Sequence, residues 1–210
     1  MRSNSGRLKN WKLYVILDKA SASDRRLLKI ARCALSGGAD VIQLRDKNVL
    51  SERSIRFAKK IRAMCRRFRV PFIVDDRIEL AVAANADGLH LGPSDLDMRV
   101  ARRILGNRRI LGISARSLAS ARSAKNNGAD YLGVGPVYKT PMKDIRPIGI
   151  NRVTAIKRLG VPVIAIGGIN KGTVAPLIGR GIRSIAVIRA VSEAKNPLAA
   201  TKELKEALCA

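Results

Sequence analysis

The chain has 210 residues, 47% hydrophobic and 27% charged, which is enough for one core and excludes both a disordered chain and a multidomain assembly. Forty-one Lys and Arg face sixteen Asp and Glu, a formal net charge of +25 that favours anionic partners such as nucleic acid, acidic membrane surfaces or phosphorylated metabolites. No run nears the ~20 apolar residues of a bilayer span, and Cys33, Cys65 and Cys209 form neither a CxxC pair nor a disulfide framework, so a soluble, reduced, cytoplasmic protein is expected.

Residues 1–11 are basic and polar with no hydrophobic middle, and read as a tail ahead of a single domain spanning residues 12–210, not as a secretory signal. From there β-rich runs alternate with helical segments. Leu13–Leu17 comes first; Ser23 or Asp24 opens the helix behind it, and Gly37-Gly38 closes that helix. Val41–Leu44 follows, then a helix opened by Ser51 with Glu52. Its apolar face holds Ile55, Ala58, Ile61, Met64, Cys65 and Phe68 at helical spacing, while arginines and lysines up to Arg69 form a solvated side. Cys65, like Cys33, is expected to pack as a small buried hydrophobe. Phe72–Val74, Gly88–Leu91, Ile110–Ile113, Tyr131–Val134, Val163–Ile166 and Ile185–Ile188 bring the count of runs to eight. Asn151 and Asn170 are expected to cap helices, and Gly106, Gly128, Gly160 and Gly179 to Gly181 to end them. The runs are nearly all apolar, the mark of parallel strands covered on both faces, and no linker interrupts them. Eight βα units predict the α/β class and a single (β/α)8 TIM barrel; an open doubly wound sheet is the alternative.

In a barrel the chemistry gathers at the C-terminal strand ends. Asp75, Asp76 and Asp95 lie there with few other ligand types, which suits a hard cation such as Mg²⁺, although each could instead pair with an arginine such as Arg77. Arg45, Lys47 and Lys143 beside that cation describe a diphosphate site. The Gly167-Gly168-Ile169-Asn170 turn lets backbone N–H groups approach an anion. His90 is the one histidine of the chain and reads as a hydrogen-bonded core residue. No nucleophile set, P-loop or GxGxxG can be assembled.

Several motifs, in order, resemble the thiamine phosphate synthase family: QLRDK (Gln43 to Lys47), DDRIELA (from Asp75), ADGLHLGPSD (Ala86 to Asp95), GISA (from Gly112), GPVYKTPMK (Gly135 to Lys143), IGGI (from Ile166) and IAVIRAV (Ile185 to Val191). The resemblance implies a transferase that joins (4-amino-2-methylpyrimidin-5-yl)methyl diphosphate to 4-methyl-5-(2-phosphoethyl)thiazole, giving thiamine phosphate and pyrophosphate. It implies Mg²⁺ on Asp76 and Asp95. It places the pyrimidine and its diphosphate on Gln43, Arg45, Lys47, Asp75, Ser114 and Lys143, with Lys143, Arg45 and Ser114 in catalytic roles, and the thiazole phosphate on Thr140, Gly168 and the backbone near Ile188. The chain departs from the family pattern at Asp75 (usually Asn), Pro93 (Gln), Arg116 (His or a polar residue), Met142 (Thr) and Arg189 (Ser). The alternatives are a thiazole tautomerase-like barrel relative without synthase activity and a basic nucleic-acid-binding protein. Asp76, Asp95, Lys47 and Lys143 favour the synthase, so nucleic acid and membrane are not the expected partners. Whether the chain forms a homo-oligomer is left open.

Overall fold

Eight parallel strands close on themselves in chain order, each hydrogen-bonded to the next and β8 to β1. The computed structural model describes residue 8 and residues 10–141 and 145–210; the expectations placed on Met142 and Lys143 lie outside the described residues. The strands are β1 Leu13–Asp18, β2 Val41–Arg45, β3 Phe72–Asp75, β4 Gly88–Leu91, β5 Ile110–Ala115, β6 Tyr131–Val134, β7 Val163–Ile166 and β8 Ile185–Val187. Helices α1 Asp24–Ser36, α2 Glu52–Phe68, α3 Ile78–Ala83, α4 Met98–Leu105, α5 Leu118–Asn126, α6 Gly149–Lys157 and α7 Ala175–Gly179 fill the crossovers between strands. After β8 come α8 Arg189–Ser192 and α9 Pro197–Cys209. This is the (β/α)8 barrel expected from the alternation, not an open sheet.

The unbroken apolar runs serve two cores. Successive strand side chains point to opposite faces. Leu13, Val15 and Leu17 join the layer between strands and helices, while Tyr14 and Ile16 join a second cluster with Val41, Ile73, Ile110, Tyr131 and Ile164 inside the barrel. Both faces are dry, so the period of two is invisible in hydropathy. Each fully buried Leu or Ile contributes ~1.5–3 kcal/mol. Leu8 and Trp11, from the segment read as a tail, are 3% and 7% exposed and belong to the inner cluster.

Local signals set most element ends. Ser23 caps α1 by accepting from the Arg26 N–H, and Ser51 and Ser54 form a reciprocal capping box on α2. Asn151 does not cap: α6 begins two residues earlier, behind Ile148, and holds Asn151 inside it. Cys33 is half-buried, a correction to its expected burial, because it sits at the edge of the buried α1 face formed by Ile30, Ala31, Ala34 and Leu35; Cys65 is buried, and burial pushes its thiol up to about 12.

Candidate active site

Strand parity carries the inner face up to the mouth. On β1 the inward series Tyr14, Ile16 continues to Asp18; on β2, Val41 leads to Gln43 and Arg45; on β3, Ile73 leads to Asp75. The parallel register then pairs Asp18 with Arg45, Arg45 with Asp75 and Asp75 with His90, so these four stand side by side at one level. Asp18 is 2% exposed and accepts from Arg45 Nη1 at 2.8 Å; Arg45 Nε lies 3.4 Å from Asp75 Oδ2, and Gln43 Nε2 donates to Asp75 Oδ1 at 3.2 Å. A buried carboxylate needs such partners. An arginine has five N–H donors, so these contacts leave Arg45 capacity for a further anion.

One residue on, Asp76 turns out of the strand with φ of 65°, and its N–H donates to the His90 carbonyl at 2.8 Å. A non-glycine residue in left-handed backbone is a strained conformation that concentrates at functional sites. The Asp76 carboxyl meets that of Asp95 in a hydrogen bond, and burial, this bond and the Asp95 charge together push Asp76 above the usual carboxylate range. Asp95 is held in place by the Gly92 N–H, which donates to its Oδ2 at 2.6 Å. Lys47 Nζ lies 3.7 Å from Asp76 Oδ2. Arg77, the expected competitor for these carboxylates, turns away to pair with Glu79. Ser114, inward at the end of β5, shares a 3.0 Å hydrogen bond with His90 Nε2.

A second group faces this one from the later strands. Gly167 and Gly168 have φ of 96° and 69°, and a Cβ on Gly168 would lie 2.6 Å from the Lys139 carbonyl. Only glycine permits that approach, and it seats the β6 loop with Thr140 against the β7 loop. Tyr138 N donates to the Gly167 carbonyl at 3.0 Å, and Thr173 Oγ1 donates to the Gly168 carbonyl at 3.0 Å. Asn170, like Asn151, does not cap: α7 begins behind Val174 with no side-chain cap, and Asn170 accepts from the Gly172 N–H at 2.8 Å in the turn ahead of it. Ile188 is half-buried beside the inner cluster. Arg189 is exposed and pairs with Glu193 at 2.7 Å, one turn along its own helix.

Thus Gln43, Arg45, Asp75, Asp76, Asp95, Lys47 and Ser114 converge at one side of the mouth, and Gly168 packs against Tyr138 and Lys139, the residues just before Thr140, at another. Sequence reasoning missed Asp18, because the first run was closed at Leu17; the inward parity Tyr14, Ile16, Asp18 was the available signal. The donor chemistry fits a hard divalent cation. Two carboxyl groups that meet in a hydrogen bond, with Asp76 pushed above its ordinary range, offer oxygen ligands from adjacent loops. Among the described residues no group of three or more His, Cys, Asp or Glu forms a metal cage, so the remaining ligands would come from water and substrate. Among the described residues the first group sets four carboxylates, Asp18, Asp75, Asp76 and Asp95, beside the two cations Arg45 and Lys47.

The sequence comparisons agree on one family. Residues 13–191 match the model of the thiamine monophosphate synthase family. The chain is 40% identical over 199 residues to a thiamine-phosphate synthase of Chloroflexus aurantiacus, covering 93% of this chain and 92% of that protein. It is 41% identical over 199 residues to one of Moorella thermoacetica, covering 93% and 95%. The solved structure of thiamine phosphate pyrophosphorylase from Pyrococcus furiosus superposes with a TM-score of 0.87 at 40% identity, covering 96% of each chain.

Proposed function

Because the chain belongs to the thiamine monophosphate synthase family, we propose that it condenses (4-amino-2-methylpyrimidin-5-yl)methyl diphosphate with 4-methyl-5-(2-phosphoethyl)thiazole by ionisation of the pyrimidine substrate. The enzyme is a transferase with two small-molecule substrates. The observation that carries the mechanistic reading is the shared hydrogen bond between Asp76 and Asp95 beside Lys47 and Arg45.

Asp76 and Asp95 would hold Mg²⁺, which when bound supplies the positive charge that neutralises the departing diphosphate. Arg45 and Lys47, joined by Lys143, contact its phosphate oxygens. The benzylic C–O bond breaks with its electron pair going to the diphosphate oxygen, and the aminopyrimidine spreads the cation left behind. Gln43, Asp75 and Ser114 hold the pyrimidine in place. Thr140, Gly168 and the backbone at Ile188 anchor the thiazole phosphate so that the thiazole nitrogen donates its lone pair to the carbon, forming the C–N bond of thiamine phosphate. Pyrophosphate leaves. Positioning and electrostatic preorganisation carry the rate, which accounts for a site without a nucleophile. We place the reaction in the cytoplasm: the three cysteines are free, and no described helix is long and apolar enough to cross a membrane.

The test is incubation with both phosphorylated substrates, with Mg²⁺ or with EDTA, assayed for thiamine phosphate. Product with Mg²⁺ and none with EDTA is expected. Absence of product in both overturns the synthase reading, and equal product in both removes the metal from it.

A further inference from the structure

A chain of hydrogen bonds climbs the inside of the barrel towards the mouth: Tyr14 OH to Tyr131 OH, Tyr131 OH to His90 Nδ1, and His90 Nε2 to Ser114 Oγ, each 3.0 Å long. The wall is cut away to admit it. A Cβ on Gly112 would lie 2.1 Å from Tyr131 Cζ, and one on Gly133 would lie 2.8 Å from His90 Cε1. Two strands therefore carry no side chain where the rings stand. Trp11 closes the lower end, its ring centroid 5.6 Å from that of Tyr131.

Counting protons gives the chain a direction. Burial pushes both phenols well above their ordinary value, so each keeps its proton and needs an acceptor. Tyr14 is 3% exposed, and Tyr131 is its hydrogen-bond partner among the described residues. With Nδ1 bare, Tyr14 donates to Tyr131, Tyr131 donates to Nδ1, and Nε2–H donates to Ser114. Every buried proton is placed. With Nδ1 protonated, Tyr131 must turn its hydrogen towards Tyr14, and the Tyr14 proton then lacks a hydrogen-bond acceptor among the described residues, although the Asp75 charge reaches both phenols, an arrangement that buried polar groups avoid.

We infer that Tyr14 and Tyr131 lock His90 as its Nε2–H tautomer, and that His90 thereby turns Ser114 into a hydrogen-bond donor at the mouth, so that the substrate atom resting on Ser114 is an acceptor. His90 and Tyr131 are positioning residues. Each link polarises the next, and the Ser114 proton leaves the chain pointing at the ligand. The use of Ser114 rests on the synthase reading; the tautomer does not.

Because the chain holds one histidine, ¹⁵N-histidine labelling reads this ring alone. At pH 8 the wild-type protein is expected to show a bare Nδ1 and a protonated Nε2, and Tyr131→Phe to raise the population of the Nδ1–H form. Tyr131→Phe should also lower kcat/KM about fivefold, the weight of one neutral hydrogen bond. In a Ser114→Ala background the same substitution should cost nothing further. A protonated Nδ1 in active wild-type enzyme overturns the relay and leaves the synthase reading standing, and so do losses that add in the double variant. A bare Nδ1 in a protein that makes no thiamine phosphate upholds the relay and counts against the synthase reading.

Discussion

Asp76 bears three loads at once: left-handed backbone, a carboxyl–carboxyl contact with Asp95, and an ion pair with Lys47. A carboxyl held above its ordinary range binds a proton more readily in the folded than in the unfolded state. Its destabilisation is therefore absent below the ordinary carboxylate range and grows as pH rises through the elevated value. Asp76→Asn removes that term and keeps the backbone, since asparagine tolerates positive φ. In metal-free buffer at pH 7.5 the variant should melt above wild type. At pH 3.5 the two should coincide. Added Mg²⁺ should raise the wild-type Tm by mass action and leave the variant unmoved. Thermal scans with and without the metal check both points, and equal Mg²⁺ stabilisation of the two proteins would remove Asp76 from the metal site. Product formation by the variant should be lost.

At the scale of elements, the eight strands were legible because every run is short, apolar and bounded by glycine or capping residues. Their C-terminal ends were less so. β1, β2 and β3 each extend one residue beyond the apolar run, to Asp18, Arg45 and Asp75, and β5 runs on through Ser114 to Ala115, because a mouth-facing polar residue carries no hydropathic mark of being in a strand. The same gap hid Asp18. Asn151 was misread because α6 starts on the plain backbone at Ile148 and Gly149, where no side-chain cap marks the entry. The nearness of Asp76 to Asp95 was readable from type and position, whereas the tyrosine chain was not: Tyr14 and Tyr131 are 117 residues apart, and only the closed register sets their hydroxyls 3.0 Å apart. The glycine of β5 is the element-scale test. In Gly112→Ala the new methyl would meet the Tyr131 ring in the barrel interior, where over-packing typically costs 1–3 kcal/mol or more. Denaturant unfolding should show a lower urea midpoint at unchanged m; a midpoint equal to wild type would mean that Tyr131 stands elsewhere.

For the whole molecule, the +25 charge and the mouth pull in different directions. Exposed cations gather on surfaces such as the outer face of α2, where Lys59, Arg66 and Arg67 line a groove of about 560 Å³ with Arg62, whereas carboxylates outnumber cations among the described residues of the first site group. A field of this sign, summed over the surface, raises the concentration of an anionic substrate around the protein at long range. Close in, the ion pairs of Arg45 and Lys47 with the mouth carboxylates act at short range. The two effects separate by ionic strength. Screening shortens the Debye length from about 30 Å at 0.01 M to about 8 Å at 0.15 M, which erases the far field and leaves the buried contacts at the mouth. With free Mg²⁺ held constant and saturating, raising NaCl from 0.01 M to 0.3 M should therefore lower kcat/KM for the pyrimidine diphosphate by roughly tenfold through KM. kcat should change little, because the bound complex is shielded from bulk salt. Initial rates over a substrate series at each salt concentration check this. A flat kcat/KM would mean that the surface charge has no part in substrate capture, and a fall confined to kcat would place the salt-sensitive contact inside the site.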